Sequence, residues 1–154
     1  MKIISHRGNL NGPNKDLENQ LDTIEKAIQL GFDVEVDIWL IENQLYLGHD
    51  KPLYKVGKKI LDIYKEKLWI HCKNLELLRF LEDEQDFHYF WHEKDDYTLT
   101  SKNFIWSYPT MYNSKNIIAV MPELVIDELT IKNHINEKQW IGLCTDYPIN
   151  YQKL

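Results

Sequence analysis

The sequence predicts an α/β fold in which mostly parallel strands close into a reduced barrel, with several outer helices missing from the second half. Three observations predict it. The first half alternates strand-like and helix-like stretches, the order expected of parallel strands joined by crossovers. The second half offers strand-like runs with no convincing helical stripe between them. The chain has only 154 residues, against about 250 for a complete eightfold barrel.

The elements follow in order. Lys2 to Ser5 reads as a short strand, followed by a loop rich in Gly, Asn and Pro. Leu17, Leu21, Ile24 and Ile28 then form one helical stripe, with Asn19 as the expected N-cap and Gly31 at the stop. "FDVEVDIWL" has the period-two alternation of a strand, and "NQLYLGHD" is a second alternating run after a turn at Glu42 and Asn43. A helix fits Val56 to Glu66, "KLWIHCK" is a strand, and Asn74 caps a helix carrying Leu78 and Leu81. Between Phe87 and Pro122 lie "FHYFWH", "NFIWSY" and "NIIAVM", all strand-like. A helix or loop from Glu123 to Glu137 precedes a final strand in "QWIGLCTDYP". Helices are therefore expected only on the side built by the first half. The Phe, Trp and Tyr residues of the uncovered strands then call for a partner, and a homodimer through that face is the expectation.

Composition narrows the functions. A 44% hydrophobic content suits one packed domain spanning 1–154. The net charge of -6, with Lys scattered among acids, speaks against a nucleic-acid surface. The start "MKIISHRGNL" lacks the apolar core of a signal peptide, and no run approaches the roughly 18 apolar residues of a membrane span. A cytoplasmic protein is expected. Cys72 and Cys144 each sit in an apolar run, as buried thiols do.

The chemistry gathers on two strands. In "FDVEVDIWL" alternation puts Val34, Val36 and Ile38 on one face and Asp33, Glu35, Asp37 and Trp39 on the other. If the apolar face meets helices, Glu35 and Asp37 point inward side by side, an arrangement that needs a compensating cation. The alternative is an amphipathic strand with its polar face in water. In "LWIHCKN" the same alternation turns Trp69, His71 and Lys73 one way, toward the interior that the carboxylates would face. "HRGN" and "GHD" each follow a short strand, at the sheet edge where functional residues collect.

The ordered set "HRGN", "ENQLDTIEKAIQLGFDVEVDIWL" and "LGHD" resembles the glycerophosphodiester phosphodiesterase family, within the wider group of phospholipase C-like phosphodiesterases. The match is dense over roughly the first fifty residues, looser through "IHCK", and returns as "TDYP". The resemblance implies a barrel of the TIM type, a divalent metal on Glu35 and Asp37, and His6 and His49 as general base and general acid. It further implies Arg7 and Lys73 as phosphate contacts, and Glu18 and Asp50 in support. The expected substrate is a small glycerophosphodiester or sugar phosphodiester. The chemistry fits, since a diester needs its charge neutralised, its leaving alkoxide protonated and its nucleophile deprotonated.

The chain departs from that pattern in three places. His71 stands where the family has a third metal-binding glutamate, which leaves the ion open among Mg²⁺, Ca²⁺, Mn²⁺ and Zn²⁺ and favours a borderline metal if His71 ligates. "LENQ" keeps Glu18 and Asn19 but lacks the usual preceding proline. Only about six residues separate Asp50 from the next helix, so the family's substrate-capping insertion is absent. The segment "FWHEKDDYTLTSKNFIWSYP" resembles small phosphodiesterase-like proteins that accompany bacterial surface-sugar enzymes, and places His92 and Glu93 as further candidates, with Trp106 and Tyr108 suited to a sugar ring. Two other readings stay open: a silent phospho-sugar binding protein, and a metal-independent phospholipase-like lyase.

Overall fold

The structure, a computed structural model, describes residues 1–108 and 116–153. Its elements are β1 (Lys2–His6), α1 (Leu21–Gln29), β2 (Asp33–Ile41), β3 (Gln44–Leu47), β4 (Tyr54–Val56), α2 (Lys58–Tyr64) and β5 (Leu68–Cys72). They continue with α3 (Leu75–Glu82), β6 (His88–Phe90), β7 (Tyr97–Leu99), β8 (Ile105–Ser107), β9 (Ile117–Val120), α4 (Glu128–Asn136) and β10 (Gly142–Thr145). Short 3-10 turns cover Pro122–Leu124 and Pro148–Tyr151.

Parallel pairing runs β6, β5, β2, β1, β10, β9, β8, so that successive parallel strands are neighbours and the first strand meets the last. This is the strand order of a (β/α) barrel of the TIM type, and the curled sheet with its four α-helices is a partial one. Strand β7 pairs antiparallel with β8. Thr98 Oγ1 within it donates to the Trp91 carbonyl at 2.8 Å and, just beyond it, Ser101 N–H donates to that of Tyr89 at 2.8 Å, joining this edge to β6. The long strand β2 pairs with β1 over its first residues and with β3 over its last, so the β3–β4 hairpin stands beyond the end of β1. Glu42 and Asn43, both at positive φ, turn the chain there as expected.

Alternation governs the layering. Val34, Val36 and Ile38 of β2 and Leu68, Ile70 and Cys72 of β5 pack outward against Ile24 and Ala27 of α1, Leu61 of α2, and Leu77 and Leu81 of α3. Inside the curl Ile4, Trp69, Phe90, Trp106, Ile118, Val120 and Cys144 form a second core. At the amino end of the strands Asp33 is held by Lys2 Nζ at 2.9 Å, Lys67 Nζ at 3.0 Å and Trp69 Nε1 at 3.2 Å, which separates it from the other acids of its strand. Both cysteines are free and buried.

Three expectations are corrected. Helices are not confined to the first half: α4, capped by Asp127, packs Ile131 and Ile135 on Ile117, Ala119 and Leu143. Its stripe is narrow and set among polar residues, which is why it read as helix or loop. Of the aromatics expected on an uncovered outer face, Phe90 and Trp106 point into the curl instead, while Tyr89 and Trp91 pack against the outer core. Asn19 is not a helix cap, since α1 starts two residues later and the Asn19 side chain is buried against Asp37. Strands β4 and β7, three residues each, were too short to show a period. Residues 109–115, part of the span read as lacking helices, lie outside the described residues.

Candidate active site

All parallel strands end on one side of the sheet, and the chemistry-bearing residues collect there. His6 is the last residue of β1, and the chain then turns sharply through Arg7 at φ 54° and Gly8 at φ 82°. A Cβ on Gly8 would lie 3.0 Å from Thr23 Oγ1 and 3.1 Å from the α1 backbone, so the turn needs glycine for space as well as for conformation. Arg7 occupies the left-handed region at a cost of about 1–3 kcal/mol. Its N–H is fixed by the Glu35 carbonyl at 3.0 Å and by Glu35 Oε2 at 3.3 Å.

Glu35 and Asp37 point into the curl and are 2% and 0% exposed, which decides against a solvated polar face. Asp37 is surrounded. Asn19 Nδ2 donates to its Oδ2 at 2.9 Å, and its own N–H donates to Asn19 Oδ1 at 3.0 Å. Arg7 Nε lies 3.1 Å from Oδ2, Lys73 Nζ 3.6 Å from Oδ1, and His71 Nδ1 2.9 Å from Oδ1. Glu35 Oε1 is 3.8 Å from the same His71 nitrogen. The two carboxyls are driven apart in acidity. Burial, and then the charge of Asp37, push Glu35 up. Burial also works against ionised Asp37, but His71, Arg7 and Lys73 outweigh it and hold Asp37 well below the usual carboxylate range.

Glu35, Asp37 and His71 form a buried group whose ligand atoms lie within 4.8 Å of one another and could hold a metal ion. The hydrogen bonding fits such an ion. Asp37 Oδ1 is buried without a hydrogen-bond partner despite its closeness to His71 Nδ1. The other His71 nitrogen, Nε2, meets the His92 carbonyl at 2.8 Å and must be the protonated one, so in neutral imidazole Nδ1 presents its lone pair to the carboxylates. A ligating histidine anchored through its second N–H to a backbone carbonyl is the usual arrangement of a metal site.

The two candidate catalytic histidines differ in setting. His6 Nδ1 lies 2.8 Å from Asp146 Oδ1, and its Nε2 is 3.9 Å from Glu35 Oε2. Asp146 also accepts from Asn9 Nδ2 at 2.9 Å, while its N–H donates to Glu123 Oε1 at 3.1 Å. Burial opposes the charged form of His6, but Asp146 and Glu35 overcome it and raise its pKa. His49 sits in the hairpin loop after Gly48, where a Cβ would lie 2.3 Å from the Lys51 carbonyl. Its Nδ1 is 2.6 Å from Asp50 Oδ1, whose side chain is in solvent. Burial is the main influence on His49, and its pKa is lowered.

His6, Arg7, Glu35, His49, His71 and Lys73 line a cavity of about 380 Å³. His92, Glu93, Trp91, Trp106 and Tyr108 line the same cavity, with the His92 and Tyr108 rings edge to face at 6.2 Å. Glu18 stands behind the cavity wall, 3.3 Å from Arg7 Nη1. Every candidate from the sequence thus falls at this end of the sheet, with Asp50 and Glu18 touching lining residues. Asn19, Asn9 and Asp146 were not among them. The signal for Asp146 was the Thr-Asp pair at the end of the final strand; Asn9 and Asn19 stood inside the "HRGN" and "LENQ" motifs without a role at the site.

Fold and site together define a partial (β/α) barrel with a polar cavity at the carboxyl ends of its strands. The chain is similar in structure to a glycerophosphodiester phosphodiesterase from Agrobacterium tumefaciens, with a TM-score of 0.61, 14% identity, and 100% of each chain covered. At that identity the likeness is one of fold. No family model and no curated protein sequence matches the chain.

Proposed function

We propose that this chain is a metal-assisted phosphodiesterase, acting on a glycerophosphodiester or sugar phosphodiester from a single reduced TIM-type barrel domain. The observation that carries the reading is the meeting, in one cavity, of a three-residue metal group, two cations and two imidazoles whose pKa values are pushed in opposite directions. Enzymes that need an acid and a base at one pH arrange groups this way.

Arg7 and Lys73 bind and orient the phosphate, Arg7 as a planar fork held from behind by Glu18. A divalent ion on Glu35, Asp37 and His71 supplies positive charge toward the phosphoryl oxygens when bound. His6, its imidazolium favoured by Asp146 at Nδ1, serves through its Nε2 proton as the acid toward the leaving alkoxide. His49, kept neutral by burial, serves as the base toward the attacking hydroxyl. This reverses the order of roles that the resemblance suggested, and the reason is the carboxylate behind His6. The aromatic residues that line the cavity, with His92 and Glu93, suit the ring and hydroxyls of a sugar alcohol.

The test is ³¹P NMR of a glycerophosphodiester and of a sugar phosphodiester incubated with the protein and a divalent ion. Conversion to a monoester or cyclic phosphate, lost in Glu35→Gln, supports the reading. Equal conversion by the variant contradicts the role of the metal group.

A further inference from the structure

Resting on the metal-site reading above, we infer that the ion held by Glu35, Asp37 and His71 is a borderline metal of the Zn²⁺ kind, bound through Nδ1 of His71, and not a hard ion such as Mg²⁺ or Ca²⁺. The argument comes from which atoms face the gap and which are already engaged.

Nε2 of His71 is committed to the His92 carbonyl at 2.8 Å, and the ring is stacked on Phe90 with centroids 5.1 Å apart and planes 9° from parallel. The imidazole therefore has a fixed orientation, and only Nδ1 faces the acids. That nitrogen and Asp37 Oδ1 are 2.9 Å apart, yet Oδ1 makes no hydrogen bond. With Glu35 Oε1 3.8 Å from the same nitrogen, one imidazole nitrogen and two carboxylates converge on a gap that a shared cation would fill.

The charge around the gap disfavours a hard ion. Ca²⁺ takes six to eight oxygen ligands, and Mg²⁺ prefers carboxylates and water in an octahedron. Here two carboxylates are offered, and Arg7 and Lys73, 3.1 and 3.6 Å from Asp37, already offset part of their charge. His71 adds no negative charge. It adds a nitrogen donor, which raises affinity along the first-row series toward Zn²⁺ and does little for Mg²⁺ or Ca²⁺.

The test uses the chelator-treated full chain and the metal ions alone, so it reads binding and is independent of turnover. Calorimetric titration is expected to rank Zn²⁺ above Mn²⁺, and Mn²⁺ above Mg²⁺ and Ca²⁺, with Zn²⁺ tighter than Ca²⁺ by more than about tenfold. His71→Glu is expected to narrow that gap or reverse it. In the wild-type protein, imidazole ¹H–¹⁵N spectra should show the Nδ1 resonance of His71 moving on Zn²⁺ addition while Nε2 stays protonated. This readout needs no variant to fold. Absence of binding, a preference for Ca²⁺ or Mg²⁺, an unchanged ranking in a folded His71→Glu protein, or coordination through Nε2 would each overturn the inference. Loss of diester turnover with the Zn²⁺ preference intact would instead count against the phosphodiesterase reading alone.

Discussion

Nδ1 of His6 lies 2.8 Å from Oδ1 of Asp146, a residue 140 positions further along the chain. The pair exists because β1 and β10 are parallel neighbours, with Ser5 in register with Thr145, so both strands deliver their next residue to the same point. The carboxylate accepts the Nδ1 proton and leaves Nε2 toward the cavity. Asp146→Asn should therefore lower turnover by about tenfold or more while leaving substrate binding close to wild type. Comparing kcat and KM checks this, and an equal loss in both would mean that Asp146 only holds the fold.

The same pair shapes the pH dependence. His6 has a raised pKa, and as the proposed acid it should make the rate fall as pH rises through that value. His49 has a lowered pKa, and as the proposed base it should make the rate fall as pH drops through its value. The profile should be bell-shaped. Asp146→Asn removes a charge that favours the imidazolium, so the alkaline limb should move to lower pH and the acidic limb stay in place. Movement of the acidic limb alone would assign the roles the other way round.

Asn19 ties the loop before α1 to the metal group by two hydrogen bonds with Asp37, and it does so at φ 60°. Asn19→Leu leaves the buried Asp37 N–H and Oδ2 without these partners, a loss of about 1–3 kcal/mol before the strain of a left-handed leucine. Urea unfolding should show the destabilisation, and metal titration a weakened site. A variant as stable as wild type would show that the two bonds are replaced by water.

His88 lies at the opposite end of the sheet, against Trp69 and 2.7 Å from Thr100 Oγ1, and burial pushes its pKa from 6.5 down to about 4. The unfolded chain binds a proton there that the folded chain does not, so its contribution is fully present above the unfolded value. That contribution falls as pH drops from 6.5 toward about 4. The loss is on the order of 3 kcal/mol at most, since the ring is partly open to solvent. Urea titrations over that range should show a shallower pH dependence in His88→Gln than in wild type.

Much of this was legible in the sequence because period-two alternation survives tertiary packing. It placed Glu35, Asp37, His71 and Lys73 on the inner face and Val34, Val36 and Ile38 on the outer one, as found. The turn at Glu42 and Asn43 and the Asn74 cap were local and equally readable. What stayed hidden was non-local. Asn19 looks like a helix cap until β2 brings Asp37 beside it, and Asp146 has no visible partner until β10 pairs with β1. Aromatics of the second half were counted on an uncovered outer face although Phe90 and Trp106 turn inward, because three-residue strands such as β6 and β8 show no period.

The central claim is that the cavity cleaves a phosphodiester, and one comparison tests it most directly. Turnover of a panel of glycerophosphodiesters and sugar phosphodiesters is measured with Mg²⁺, Mn²⁺, Ca²⁺ and Zn²⁺, for wild type, His6→Ala, His49→Ala and Arg7→Ala, alongside calorimetric binding of a phospho-sugar. The account predicts turnover by the wild type, a loss of about 10²-fold or more in each histidine variant with binding retained, and a loss of both in Arg7→Ala. No turnover with any ion, together with phospho-sugar binding that depends on Arg7, would contradict it and identify a silent binding protein.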